Sequence, residues 1–497
     1  MHDMSSGITT DEPTAVLHTG WTRRVVGHAA ILILVNVMVD TVIASPTFVL
    51  PELSDAFDTH QFAWIDSSAM LAGATWAPLL GKSADIHGKR TVLILTLLVA
   101  GTGGIVCLLA PHISVFVLGR VLQGAAVAGL FLTVAIVRDL CAPKFAMVVT
   151  GVITSGSAVF GIVSPFVLEV ATDAFGWRVV FVLSAAFAGM AAVFVRCVIP
   201  DSRNRTPGRV DVAGALTLGG GLAGVLAYIS LGQEFGWLSG ASLAFLIGGV
   251  AALLVWYVVL SRVPEPVIDI RGISSALGLG LLVVVMGTGA YRSMLQLFGL
   301  LVDVDPDDGL GYGIAGPGAL GLMFGIPSVG IMLGGVLAGW IGTRVGPAWP
   351  LAAGITLGAT ASLVMFTAGT DTLPVAVVCS FMFSLTAGSL VTSGFNLASV
   401  LAPPERQGTV SSMVMVMVAI GSVTMSFIGS AVLGAHEIVF EGEKVSSSAG
   451  IHAYIAVAGC VFVLAAVPTF FLVRTMRGRV VPDVSEVTHK DLEHAGR

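Results

Sequence analysis

Charge is what this sequence has least of. Only 11% of its 497 residues are Asp, Glu, Lys or Arg, where soluble domains carry about 25%. So few charges do not cover the surface of a water-soluble fold of this length, and that class is excluded. The five cysteines, Cys107, Cys141, Cys197, Cys379 and Cys460, stand singly, with no CxxC and no histidine cluster at metal spacing. A disulfide framework and a structural zinc site are therefore not expected, and no metal or other cofactor is implied. Gly81-Lys82-Ser83 ends like a phosphate-binding loop, but Trp76 holds the place of its first glycine, so ATP is not implied either. Gly311-Tyr312-Gly313-Ile314-Ala315-Gly316 spells a dinucleotide pattern without the strand and helix that give it meaning. A formal net charge of -6 offers no basic surface for nucleic acid.

What the chain has instead is long apolar runs. A helix needs about twenty apolar residues to cross a bilayer. Runs of that length lie at 25–50, 62–81, 91–110, 114–137, 146–170, 179–199, 211–231, 241–260, 274–301, 317–342, 349–368, 374–400, 409–434 and 451–474. These predict an all-α membrane protein of fourteen helices with the lipid bilayer as its main partner. The 61 glycines, many inside these runs, let helices approach closely. The first run continues past Ser45 to Leu50, too long for a cleaved leader, and reads as a retained span.

Lys and Arg give an independent test, because they accumulate in cytoplasmic loops. With the N-terminus inside, the outer segments hold only Arg178 and Lys444, and the spans hold Arg120 and Arg292; the rest of the 24 lie inside. A miscounted helix inverts every later loop and destroys that asymmetry. Both termini are expected in the cytoplasm and the protein in the inner (plasma) membrane. Asn204-Arg205-Thr206, a glycosylation pattern, then lies on the wrong side.

The loop after the second run reads Gly81 to Arg90, with glycines at 81 and 88; the loop after the tenth carries Gly339 and Gly346 at the same spacing. An offset of eight helices is six plus two. The expected organisation is a tail over 1–24, a six-helix bundle over 25–199, an inserted helix pair over 200–272, a second six-helix bundle over 273–474 and a tail over 475–497. Such halves place a substrate site at the midplane between them.

These residues carry a resemblance to the major facilitator superfamily, and within it to the fourteen-helix drug:proton antiporter branch. Gly81, Ala84, Asp85, Gly88, Lys89 and Arg90 match the signature between helices 2 and 3. Leu118 to Ala125, with Arg120 followed by Gln123-Gly124, is similar to the helix-4 motif; Gly176 to Phe181, Asp211 to Leu216 and Pro264 to Arg271 resemble connections of that branch. Two places depart from it. Ser164-Pro165-Phe166-Val167-Leu168-Glu169 keeps only the proline of the helix-5 antiporter signature, and Asp40 leads to Leu50-Pro51 with additional residues and an extra Pro46. The resemblance implies a major facilitator fold and proton-coupled export. It also implies that Arg120 serves proton transfer or holds the site, and that the Gly81 to Arg90 loop latches the inner ends of the halves.

Carboxylates and guanidiniums inside a bilayer are costly and face a cavity or a partner. Asp40, near the middle of the first span, is the candidate proton carrier, with a structural ion pair as the alternative. Arg292 lies at similar depth in the ninth span, counterpart of the first; it needs an anion, either Asp40 or an acidic cargo. Glu169 is a candidate for outer proton entry, with Asp66 near the same boundary. Pro165 is expected to bend helix 5, since proline cannot donate a backbone hydrogen bond. Gly81, Asp85, Gly88, Lys89 and Arg90 form the candidate gate. The expected function is proton-antiport export of drugs, antiseptics or natural products by a monomer with no enzymatic activity. Export or symport of an anionic metabolite or lipid is the alternative, and a membrane-embedded transferase using the acidic Asp303, Asp305, Asp307 and Asp308 is the alternative of another class.

Overall fold

The computed structural model describes residues 17–477 apart from 45, 47–48, 58–61, 202–204, 209, 263–272, 303, 317–318, 404–405 and 441–442. The outer parts of both tails, Asn204, Pro264 to Arg271 and Asp303 therefore lie outside the described residues, as do the side chains of Asp66, Pro165, Glu169 and Asp307.

Every apolar run folds as helix. In chain order the helices are α1 (Arg23–Ala44), a short α2 (Leu50–Phe57), α3 (Phe62–His87), α4 (Lys89–Leu108), α5 (Ile113–Gln123), α6 (Ala128–Leu140), α7 (Pro143–Gly156), α8 (Ala158–Phe175) and α9 (Arg178–Val198). Then come α10 (Val212–Phe235), α11 (Gly240–Arg262), α12 (Ser275–Val302), α13 (Ala319–Val345), α14 (Ala348–Ala368), α15 (Leu373–Leu401), α16 (Gln407–Gly434) and α17 (Ser448–Met476). Among the described residues, 12 helices are long and apolar enough to cross a membrane. α3 and the α7–α8 pair pack among them. The only strands described, β1 (Glu437–Phe440) and β2 (Glu443–Ser446), form an antiparallel hairpin between α16 and α17.

Three runs are less regular than their apolarity suggests. The first, expected to reach Leu50, stops being α-helix at Ala44, because Pro46 has no N–H to give the Val42 carbonyl four residues back. The fourth tightens into a 3-10 turn over Gly124–Val127, where a Cβ on Gly124 meets the Ala69 carbonyl oxygen and Gly73 nitrogen of α3 at 2.5 and 3.0 Å. The fifth breaks at Ser157. Ser157, with helical φ −67° and ψ −24°, is the single residue between α7 and α8.

Lys and Arg side chains gather where α3, α6, α9, α11, α13 and α17 end and α1, α4, α7 and α16 begin; this is the basic end of the molecule. α3 packs on α16 and α7 on α13, joining the first set of helices to the last, while α10 packs on α11 and lies against both α3 and α16. The two glycine pairs mark these seams. A Cβ on Gly81 meets the Gly408 carbonyl oxygen at 2.9 Å, and one on Gly339 meets that of Met147 at 2.7 Å. Gly88 and Gly346 each end their helix with positive φ, 95° and 85°, a conformation that favours glycine.

Candidate functional site

Asp40 is the eighteenth residue of α1. Ser157, between α7 and α8, is the side-chain partner of its carboxyl, which lies deep among the helices, while the residue as a whole keeps exposed surface although its neighbours Val37, Met38 and Val39 are buried. The cost of a carboxylate at this depth in lipid favours a place beside a cavity or a partner over one against hydrocarbon. One turn toward the basic end, buried Asn36 donates to the Ile153 carbonyl at 2.7 Å and accepts from Thr133 at 3.2 Å. These bonds fix the rotation of α1 and so the direction of Asp40.

Arg120 is fully buried. Its guanidinium donates to the Val42 carbonyl at 2.8 Å, the Ile43 carbonyl at 3.1 Å and the Gln123 side-chain oxygen at 2.8 Å. Gln123 in turn donates to Ser184 of α9. Val42 is the residue whose helical donor Pro46 removes, so Arg120 caps the end of α1 across the bundle. A cation at a helix C-terminus also suits the helix dipole.

Arg292 is the eighteenth residue of α12, the same place that Asp40 holds in α1. It is exposed, as is Gln296 one turn farther from the basic end. Among the described residues no ion pair joins Arg292 to Asp40, and Arg292 makes no hydrogen bond. The phenol of neighbouring Tyr291 lies beside Ser384 of α15.

At the basic end the gate residues come together. Asp85 is buried and accepts three hydrogen bonds from the start of α16: Gly408 N–H at 2.8 Å, Thr409 N–H at 2.9 Å and the Thr409 hydroxyl at 2.7 Å. A carboxylate on the first free N–H groups of a helix is matched in charge and geometry. Lys89, also buried, pairs with Asp139 of α6. Arg90 donates to the Arg196 carbonyl near the end of α9 at 2.6 Å, and Arg138 reaches the Ser399 carbonyl near the end of α15 at 2.9 Å. Asp85 and Arg138 thus hold the α15–α16 turn from its two sides, and Lys89 with Asp139 ties those two together.

Comparison with known proteins follows from this geometry. A model of the Major Facilitator Superfamily matches residues 30–318, 208–423 and 273–494. The chain belongs to that superfamily. Multidrug resistance protein Stp of Mycobacterium tuberculosis (strain ATCC 25618 / H37Rv) is 24% identical over 395 residues, 78% of this chain and 71% of Stp. The efflux pump dotC of Dothistroma septosporum (strain NZE10 / CBS 128990) is 28% identical over 234 residues, 45% of this chain; the match spans only 40% of dotC's own length. Among solved structures, the human organic anion transporter MFSD10 (TETRAN) aligns with TM-score 0.61 at 17% identity, and FucP in the outward conformation with 0.60 at 14%; each match covers 90% of this chain and 99% of the other. Twelve candidate spans and these likenesses make the fold an all-α major facilitator fold of a multi-pass membrane protein.

Of the residues singled out from the sequence, Gly81, Asp85, Gly88, Lys89 and Arg90 lie together at one seam, and Asp40 and Arg120 gather at the end of α1. Arg292 stands on the other half at matching depth. The backbone of Glu169 and Pro165 lies in α8, and their side chains are outside the described ones. Sequence reading passed over Asn36, Arg138, Asp139, Ser157 and Thr409. Arg138-Asp139 at the end of the fourth run was the legible signal: two opposite charges beside a span. The Ser157 break had none.

Proposed function

We propose that the protein is a secondary active transporter of the plasma membrane, with its basic end and both termini in the cytoplasm, that exports small molecules in exchange for protons. The observation that carries this reading is Asp40: a carboxylate deep in the bundle, partnered by the neutral Ser157 and set away from the basic end that Asp85 and Arg138 hold together. Fourteen crossings, in two six-helix halves with α10 and α11 between them, are the arrangement most consistent with the alternation of charged and uncharged ends. The likeness to Stp, a multidrug resistance protein, and to dotC, an efflux pump, favours efflux.

In this reading the described state opens outward. Asp40 takes a proton from outside, becomes neutral and releases cargo. Neutralisation lowers the cost of burying the carboxyl while the halves rock and the Asp85 latch parts from α16. Facing the cytoplasm, Asp40 loses its proton and cargo binds again. One charge moved through 100 mV supplies about 2.3 kcal/mol per cycle, enough for uphill export without nucleotide.

A susceptibility profile tests this. Cells producing the protein, challenged with anionic, neutral and cationic antimicrobial compounds, are expected to resist some of them, and a protonophore or Asp40→Asn abolishes that resistance. Resistance untouched by Asp40→Asn rejects Asp40 as the coupling site.

A further inference from the structure

Arg120 and Arg292 both lie away from the basic end, and they are treated differently. Arg120 is buried and spends its donors on two backbone carbonyls and Gln123. Arg292 is exposed, and among the described residues it makes no hydrogen bond or ion pair. The face of α12 that carries it is closed nearer the basic end: Cβ atoms on Gly289 and on Gly421 of α16 meet each other's helix backbone, at Gly421 and Val285 respectively. Farther along, at Arg292, Gln296 and Leu300, the same face is open. An arginine turned toward hydrocarbon is costly, and a glutamine one turn away on the same open face repeats the cost. Both are accommodated if this face lines a water-filled pocket. Arginine keeps its charge whatever its surroundings, so the pocket holds a fixed positive site with a forked set of donors.

We propose that Arg292, assisted by the Gln296 carboxamide, is the cargo-binding subsite and that the cargo is an organic anion. A carboxylate, sulfonate or phosphate monoester accepts both arms of the guanidinium, as a neutral or cationic molecule does not. This rests on reading the central pocket as the transport site. It narrows the cargo class from small molecules at large to anions, and gives the two halves separate tasks, with the proton on Asp40 and the cargo charge on Arg292.

The test is equilibrium binding with no gradient, in nanodiscs of neutral phosphatidylcholine. The probes are radiolabelled 2-naphthoate and its neutral and cationic counterparts, 2-naphthamide and 2-naphthyltrimethylammonium. The full-length protein is expected to bind naphthoate at least about tenfold more tightly than the amide, with the ammonium weakest. Arg292→Gln brings naphthoate to within about twofold of the amide. Arg292→Lys keeps a reduced preference and Gln296→Ala lowers it. A wild-type protein that does not favour naphthoate over naphthamide overturns the proposal. So does an unchanged preference in Arg292→Gln, and Arg292→Lys decides the matter if the glutamine variant does not fold. Because no proton gradient is present, anion binding that survives while export proves insensitive to protonophore removes only the coupling scheme, not this subsite.

Discussion

At the scale of single residues, the site is organised around a backbone defect. Pro46 withdraws a donor from the Val42 carbonyl, and Arg120 replaces it from a neighbouring helix. Hydrogen bonds from a charged donor contribute roughly 1.5–3 kcal/mol each. Arg120→Met is therefore expected to destabilise the protein by about 2–4 kcal/mol, read as a lowered melting temperature in detergent. Pro46→Ala should recover part of that loss, because a helical N–H returns to Val42; a double-mutant cycle measures the coupling, and strict additivity contradicts the capping role. The importance of Arg120 was legible from its motif. Its partners were not, because carbonyl acceptors have no sequence signature and become visible only where the helix end is placed. Asp40 was legible for the opposite reason: a lone carboxylate in an apolar run has no ordinary explanation.

At the scale of elements, helix ends do the holding. Asp85 binds the start of α16, Arg138 the end of α15 and Arg90 the end of α9. Asp85→Asn keeps the shape of the side chain but removes its charge, and its new amide N–H₂ points a donor at donors. The closed basic end is expected to lose about 1.5–3 kcal/mol, roughly a ten- to hundredfold shift toward opening. Spin labels at exposed His87 and Arg344, on α3 and α13, should then report a longer distance population by electron–electron resonance. Thr409→Val removes only the hydroxyl bond and is expected to shift the same population by about tenfold or less. Gly339→Val tests the other seam, since its side chain meets the Met147 carbonyl and should part α7 from α13 with the same spectroscopic result. The glycine spacing of the two loops, read as a sign of a repeat, falls where Gly81 packs on α16 and Gly339 on α7. It did not reveal that the carboxylate latch occurs at only one of them, where the second loop has Thr343 in the place of Asp85.

At the scale of the whole molecule, apolar length located the long helical runs, because it follows directly from the cost of placing unbonded backbone in lipid, while the short α2 was not among them. Hydropathy does not register irregularity. The stop at Ala44, the 3-10 turn at Gly124–Val127, the break at Ser157, the small hairpin after α16 and the bridge from His18 to Cys141 all went unread. The first three of these flank Asp40. The site was thus found by composition and is shaped by departures from regular helix. Its charges are separated, with a carboxylate on α1 and a guanidinium on α12 at equal depth, and at the basic end one carboxylate accepts three hydrogen bonds from the start of α16.

The central claim is that Asp40 exchanges its proton for cargo as the halves rock. Proteoliposomes loaded with pyranine, and with the compound against which the protein protects cells most strongly, separate its two parts: transport driven by an imposed pH gradient, and exchange of labelled for unlabelled compound at equal pH. Wild-type protein should perform both and move protons against cargo. Asp40→Asn should lose gradient-driven transport and the pyranine signal while keeping exchange; an Asp40→Asn protein that still accumulates cargo against its gradient in response to pH contradicts the account.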